Sequence, residues 1–528
     1  MADIDRLKSL AKAGKLSRRE FIVGALAAGI AVPVAQGMFT SIARAEPKKG
    51  GLFRMATPHG ATTDTLDPGL YTDTMIQFVG WGSSANSLTV VDAKGNILPD
   101  LAESYEPSEG ATKWMFKIRK GTTFHNGKDV TADDVVASFR HHLKEGTKSA
   151  AKSLLESVKD IKADDKSTVV FTLNGGNADF PYIASDYHIP IMPAKENGDA
   201  DWESGVRTGA YVIEKFEPGV RGKLKRNPNY YRDAWFDELE VTTIADHAAR
   251  QSALLTGAVD HIIRPDLKTL GLLQQNPEFA ITELTGFGHY TFPMLVDVAP
   301  FDNIDVRLAL KYAMDRDEIV KKIFLGHASA GNDNPISPAV KFATNPEPIH
   351  TFDPEKAKFH LKKAGLSNLK VDINLSDAAF NGCVDAGVLY QASAAKCGID
   401  INVVREAADG YWDNVWLKKP WCASYWSGRP TCDWMFTTVY AKGANWNETR
   451  WANERFNELL VQARAETDDA KRGTMYAEMQ QLVHDDCGQL VIVFNNIVEA
   501  SAKKLAHGDV AANWELDGLR IGERWWYA

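Results

Sequence analysis

Strand-like and helix-like segments alternate along this chain from residue 51 to residue 495, and no internal repeat of solenoid length interrupts them. Residues 51–56, 114–119 and 167–173 read as strands; 114–119 alternates apolar and charged side chains, as a half-buried strand does. Thr131-Ala132-Asp133-Asp134 opens a helix to about residue 143, with Thr131 as N-cap and Asp134 at the third helical position. Residues 209–216 and 220–226 form a hairpin turning at Pro218-Gly219, 239–244 a strand, and 246–256 a helix ended by Gly257. Helices are predicted over 304–323 and 353–364, the second closed by Gly365. Strands at 371–375 and 399–405 flank a helix, 453–466 and 470–484 are helices, and 489–495 is a final strand. Such a mixed α/β pattern, with strands drawn from distant parts of the chain, fits interleaved lobes better than a string of separate domains.

The N-terminus predicts export. Arg18-Arg19 directly precede an apolar, Ala- and Gly-rich run from Phe21 to about Ala35, and Ala43-Arg44-Ala45 places small residues where a signal peptidase cuts. Residues 1–45 are therefore expected to be a twin-arginine signal peptide, and the mature chain a periplasmic protein beginning near Glu46. No later stretch reaches the ~20 apolar residues that span a bilayer. A formal net charge of −9 argues against a nucleic-acid binder. Five cysteines, Cys383, Cys397, Cys422, Cys432 and Cys487, contain no C-x-x-C pair, and an odd number leaves at least one thiol free or intermolecular. Cys383 and Cys397 flank a predicted helix about 21 Å long, beyond disulfide reach. Cys422 can close a small loop with Cys432, and Cys487 competes as partner.

Several segments in order along the chain carry a family pattern. They are Thr65-Leu66-Asp67-Pro68; Asn96 to Ser104 (NILPDLAES); Phe116 to Gly127 (FKIRKGTTFHNG), followed by Thr131-Ala132-Asp133-Asp134-Val135; Thr208-Gly209-Ala210-Tyr211; Arg226-Asn227-Pro228-Asn229-Tyr230-Tyr231; and Asp305 to Arg316 (DVRLALKYAMDR). Together they resemble extracellular solute-binding protein family 5, the dipeptide-, oligopeptide- and nickel-binding class. The resemblance implies a two-lobed periplasmic-binding-protein fold with a hinge and an extra subdomain inserted in lobe I. Lobe I is expected at 46–88, 206–285 and 490–528, the inserted subdomain at 89–205 and lobe II at 286–489. The hinge crossings are expected near Leu284-Thr285 and Val491 to Phe494. It also implies a monomer that captures a small ligand by lobe closure and passes it to the permease subunits of an ABC importer, with no catalysis and no cofactor.

Most of these motif residues are expected to be structural, with Pro and Gly fixing turns and the Asp-Val-Arg helix start forming a cap and an ion pair. The ligand chemistry rests on Ser424 to Trp434 (SYWSGRPTCDW), which resembles the family's loop of the form W-x-G-D-x-x-D-P-D. In the peptide binders an aspartate of that loop pairs with the peptide's α-amine. Aligning Asp433 with the last aspartate puts Arg429 at or beside that position. A guanidinium there attracts a carboxylate or phosphate instead of an ammonium. The expected guest is then an anionic, peptide-like or amino-acid-derived solute, opine-like for instance; a di- or oligopeptide or a metal chelate is the alternative. The alternative reading makes Arg429 a partner of Asp433 or another acid that only shapes the loop. Trp426 and Trp434 flank the loop as pocket wall or core. His289 and Tyr290 follow two glycines where lobe II begins, Tyr71 and Trp81 follow the first strand, and Asn445 and Trp446 follow the loop; all six are further candidate contacts. Asn332 to Asn334 read better as a solvated turn. No Gly-x-Ser-x-Gly, His-Glu-x-x-His or phosphate-binding glycine loop is present. The 13 histidines show no metal-ligand spacing; His141 and His142 point apart on one helix.

Overall fold

A computed structural model describes residues 7, 18–27, 47–58, 60–71, 73–407, 411–444 and 446–528. Arg18–Ala27 is helical; the Ala43-Arg44-Ala45 cleavage site and Asn445 lie outside the described residues. A nine-stranded sheet organises the molecule. Its spatial order is 424–426, 279–291, 491–502, 261–263, 52–57, 238–243, 221–226 and 211–217, with 328–330 also pairing to 491–502. Leu52–Thr57 runs parallel to both Glu238–Thr243 and His261–Ile263, and the other pairs are antiparallel.

Two long strands, Phe279–Thr291 and Val491–Ala502, carry the sheet from one lobe to the other. Their lower halves pair from Phe279↔Ala502 to Thr285↔Asn496. The register then breaks, and pairing resumes at His289↔Phe494. The residues left out are Gly286, Phe287 and Gly288, a bulge that re-aims the strand. Both glycines are required there. A Cβ on Gly286 would sit 2.9 Å from the Asn495 carbonyl oxygen, and one on Gly288 2.9 Å from that of Trp426. The predicted final strand at 489–495 is thus the start of a longer one, and its partner over 279–291 was not predicted.

Around this sheet the core divides. Phe53, Met55, Tyr211, Leu239 and Trp525 fill one lobe. Leu88, Trp114, Phe116, Phe139 and Phe171 fill the inserted subdomain, whose four-stranded antiparallel sheet runs 102–108, 113–118, 168–173, 158–163. The other lobe holds two clusters, one about Leu310, Tyr390, Ile401 and Trp421 and one about Phe436, Phe456, Tyr476 and Met479.

Most of the predicted elements lie where expected. One differs for a clear reason. The predicted helix over 304–323 is two, Ile304–Ala313 and Arg316–Lys322, because Met314 is extended and Asp315 recaps the chain by accepting from Glu318 N at 3.0 Å. The break turns Arg316 inward. Its guanidinium donates to Val491 O at 2.9 Å and His350 O at 2.8 Å and pairs with fully buried Asp333 at 2.7 Å. At the Asp-Val-Arg start, Asn303 is the cap, Asp305 pairs with His360 and Lys363, and Arg307 with Asp486. All five cysteines are buried free thiols. Cys422 packs in a different cluster from Cys432 and Cys487, and neither the Cys422–Cys432 loop nor a pairing with Cys487 is formed.

Candidate functional site

The site is built where the sheet edge of the second lobe meets the inserted subdomain. Ser424–Trp426 is the edge strand, paired to 289–291. It ends because Gly428 lies against Phe287, where a Cβ would overlap the phenylalanine at 2.0 Å. The chain turns through Ser427 to Pro430 and re-enters a helix, Cys432–Val439, capped by Thr431 Oγ1 accepting from Trp434 N at 3.2 Å. Arg429 therefore sits at the apex of a strand–turn–helix unit with both flanks fixed.

Its guanidinium lies 5.8 Å from the Trp426 ring and 5.9 Å from the Trp434 ring, a cation over two indole faces. Nη1 donates to Ser427 O at 2.8 Å and to Ser427 Oγ at 3.2 Å, while Nε is buried without a hydrogen-bond partner. Burial lowers the Arg429 pKa, and Tyr187 and Asp186 across the lobe boundary oppose that shift. Asp433 does not pair with it: its Oδ1 accepts from Arg464 Nε at 2.9 Å, and burial pushes its pKa up to about 6. The alternative in which Asp433 neutralises Arg429 is therefore excluded by geometry.

The remaining candidates fall into two groups. Trp426 and half-buried Trp434 share the Arg429 wall, and Trp446, 47% exposed, stands 5.9 Å from Trp426. His289 is fully buried behind the wall, edge-on to Phe494 at 6.0 Å, with neither ring nitrogen hydrogen-bonded. Burial and then the Arg429 charge hold its pKa down to about 3, so it is neutral at pH 7. Tyr290, one residue on, points the other way and stacks on Phe380 at 4.4 Å in the lobe core. Tyr71 and Trp81 are core residues of the first lobe: Tyr71 Oη donates to Leu66 O, and Trp81 Nε1 donates to Ser87 Oγ at 2.9 Å beneath Arg520. Asn332 and Asn334 are buried and bond Pro346 O and Gln480 Oε1, not solvent.

Several residues that face this wall carried no sequence signal. Tyr187 stands edge-on to Trp514 at 5.3 Å on the opposite side. Trp514 enters a stretch in which Leu516, Asp517 and Leu519 all have positive φ, 57°, 57° and 64°. Glu515 receives Arg264 in a two-point pair, at 2.6 and 2.9 Å. Below the wall the subdomain touches the second lobe directly. Asp179 Oδ1 meets Arg472 at 2.6 Å with both side chains under a tenth exposed, and Ala178 N donates to Arg464 O at 2.7 Å. Gly176 lets Ala465 approach, since a Cβ would fall 2.9 Å from that methyl. The gap between Asp179, Tyr182, Pro430 and Cys432 is only about 10 Å³, so the two elements pack directly at this point. Among the described residues no group of three or more His, Cys, Asp or Glu side chains is placed to hold a metal ion.

Comparison with known proteins agrees with this architecture. The chain is 26% identical over 452 residues to the dipeptide-binding protein of Escherichia coli K12, covering 78% of this chain and 83% of that one. It is 28% identical over 425 residues to heme-binding protein A of Haemophilus influenzae, covering 74% and 77%. Its fold superposes on AgaA of A. tumefaciens R10, solved with agropinic acid, at a TM-score of 0.73 and 23% identity over 90% of this chain and 98% of that one. With residues 96–448, more than half of the sequence, matching the profile of that family's middle region, the chain belongs to the bacterial extracellular solute-binding proteins, family 5.

Proposed function

We propose that this protein, the substrate-binding component of an ABC importer of the family 5 type, clamps a small anionic solute, peptide-like or amino-acid-derived, between its lobes. The carrying observation is Arg429: a cation on the closing face whose Nε has no hydrogen-bond partner, whose neighbouring acid is taken by Arg464, and whose flanks are two indoles. A guanidinium desolvated by closure gains most from a guest that brings a carboxylate or phosphate and offers two oxygens. A guest presenting an ammonium would be desolvated against like charge, which disfavours a dipeptide held by its amine. An opine-like conjugate satisfies this chemistry, and the agropinic acid of AgaA is a guest of that kind.

On this reading the binding energy comes from two-jaw closure: burial between aromatic walls supplies area, and the charged contact fixes one end. The twin arginine at 18–19 and the apolar run behind it support export to the periplasm by the twin-arginine route. Substituting both arginines by lysine should hold the precursor in the cytoplasm on cell fractionation.

Native mass spectrometry of the protein as purified identifies the guest. Calorimetry of that compound against Arg429→Ala should then show a loss of about 2–5 kcal/mol, roughly 30- to 4,000-fold in Kd. An unchanged affinity, or a guest without an acidic group, ends the proposal.

A further inference from the structure

Behind the Arg429 wall lies an acid whose partners are unusual. Glu448 is 2% exposed. Its Oε1 accepts Trp426 Nε1 at 2.8 Å and its Oε2 accepts Trp416 Nε1 at 2.7 Å; Gln489 Nε2 lies 3.5 Å from Oε1. Burial raises its pKa, and the groups that act against that are neutral: the donors Trp416, Trp426 and Gln489, and the nearby Ser424 hydroxyl. No cation is among them.

The chemistry of this set calls for a carboxylate. An indole N–H only donates, so two of them converging on one side chain require two acceptor atoms. A glutamine of the same shape offers one oxygen and turns an N–H₂ toward the second indole, leaving a buried donor facing a donor. A buried acid with no cation is a costly choice for packing alone. What it secures is the orientation of two rings. Trp426 is the ring on which Arg429 rests at 5.8 Å, Trp416 lies 6.3 Å from Trp426, and Trp446 lies 5.9 Å from Trp426 and 6.3 Å from Trp416. One carboxylate therefore ties together the aromatic face from which the guanidinium projects.

We propose that Glu448 is a positioning residue of the guest-binding wall: by accepting both indole N–H groups it holds Trp426, and through Trp426 holds Arg429, in the closing orientation. The proposal rests on the reading of Arg429 above and extends it one layer inward. It also predicts which substitution is not conservative. Glu448→Asp keeps two acceptor oxygens, whereas Glu448→Gln does not.

The test uses the full mature chain labelled with ¹⁵N at tryptophan and arginine, stripped of guest by unfolding and refolding. Trp416→Phe, Trp426→Phe and Arg429→Lys assign the indole and Arg429 Nε signals. In Glu448→Gln the Trp416 and Trp426 indole protons should move upfield and exchange at least about tenfold faster, and the Arg429 Nε–H signal should move with them. Glu448→Asp should displace the Arg429 signal less. If Glu448→Gln displaces the two indoles but leaves Arg429 Nε–H in place, Glu448 only packs the lobe and the proposal fails; an unmoved Trp426 indole also overturns it. Should Glu448→Gln not fold, Trp416→Phe gives the test from the other side: it frees one carboxylate oxygen without removing the ring under Arg429, and Trp426 indole and Arg429 Nε–H signals that both stay in place overturn the proposal. The readout needs no guest. An Arg429→Ala protein with unchanged affinity would thus end the anion reading while leaving the positioning result standing.

Discussion

Arg472 and Arg429 project from the same lobe toward the same subdomain, yet their surroundings are opposite. Arg472 meets Asp179 at 2.6 Å, donates to Ala463 O through Nε, and lies over the rings of Phe342 and Tyr476. Its ionic partner comes from across the lobe boundary, so the pair forms within the protein, although Asp179 Oδ2 is left without a hydrogen-bond partner. Arg429 has the same aromatic bedding, but its nearest acceptors are in its own loop, at Ser427. The difference separates two tasks that a clamp must perform. A pair formed within the protein favours closure whatever the guest; if the proposed role of Arg429 holds, its cation makes closure depend on what is inside.

The largest effect should come from the completed pair. Asp179→Ala leaves a buried guanidinium without its partner, a change that typically costs about 3–5 kcal/mol. Opening the lobes relieves it, so small-angle scattering should report a larger radius of gyration without guest. Asp179→Leu with Arg472→Met should restore the compact form. An unchanged radius in Asp179→Ala would show that the contact does not hold the jaws together, and the comparison would collapse.

Next comes the contrast in stability. Arg429→Ala removes a cation that forms no ion pair among the described residues, so its guest-free melting temperature should stay within about 2 °C of the parent, while guest affinity falls as given above. A loss of stability comparable to that of Asp179→Ala would place Arg429 among the structural arginines.

A pH dependence sharpens the boundary between the two. Asp433 follows the Arg429 loop and feels the Arg472 charge, and burial raises its pKa from 3.8 to about 6 although Arg464 opposes the shift. The folded chain therefore holds a proton that the unfolded chain has released between those values. That contribution to stability is complete below about pH 4 and is lost as pH rises through about 6. Asp433→Asn should remove this fall from a plot of melting temperature against pH. A parallel pair of curves for parent and variant would show that Asp433 stays ionised throughout.

The smallest effect belongs to Tyr187. Tyr187→Phe keeps the ring against Trp514 and removes only the hydroxyl facing Arg429, so guest affinity should change by less than about 1.5 kcal/mol. A larger change would make Tyr187 a principal contact and not a wall.

The alternation of segments, the capped helix at Thr131 and the hairpin at Pro218-Gly219 were legible because each is decided within a few residues. So was the Arg429 loop, in which a cation stands at or beside a position where the family pattern has an aspartate. The long strand over 279–291 was not legible. Its polar Thr and Glu residues and two glycines blur a period of two, and only pairing with 491–502 makes it a strand. Tyr71 and Trp81 illustrate the same limit: an aromatic after a strand suits a cleft or a core equally, and here the packing of Arg520 and Ser87 takes Trp81 inward.

Taken alone, the order of residues determined the kinds of element and the family, because those follow from local periodicity and from ordered motifs, and it singled out Arg429 as the cation of its loop. Only the tertiary structure decided which charges are already matched. Asp433 is four residues from Arg429 yet belongs to Arg464, and Asp179 reaches Arg472 from nearly three hundred residues away. Pairing depends on distance and burial in space, and a chain that crosses between lobes more than once makes neighbours of residues that its sequence keeps apart.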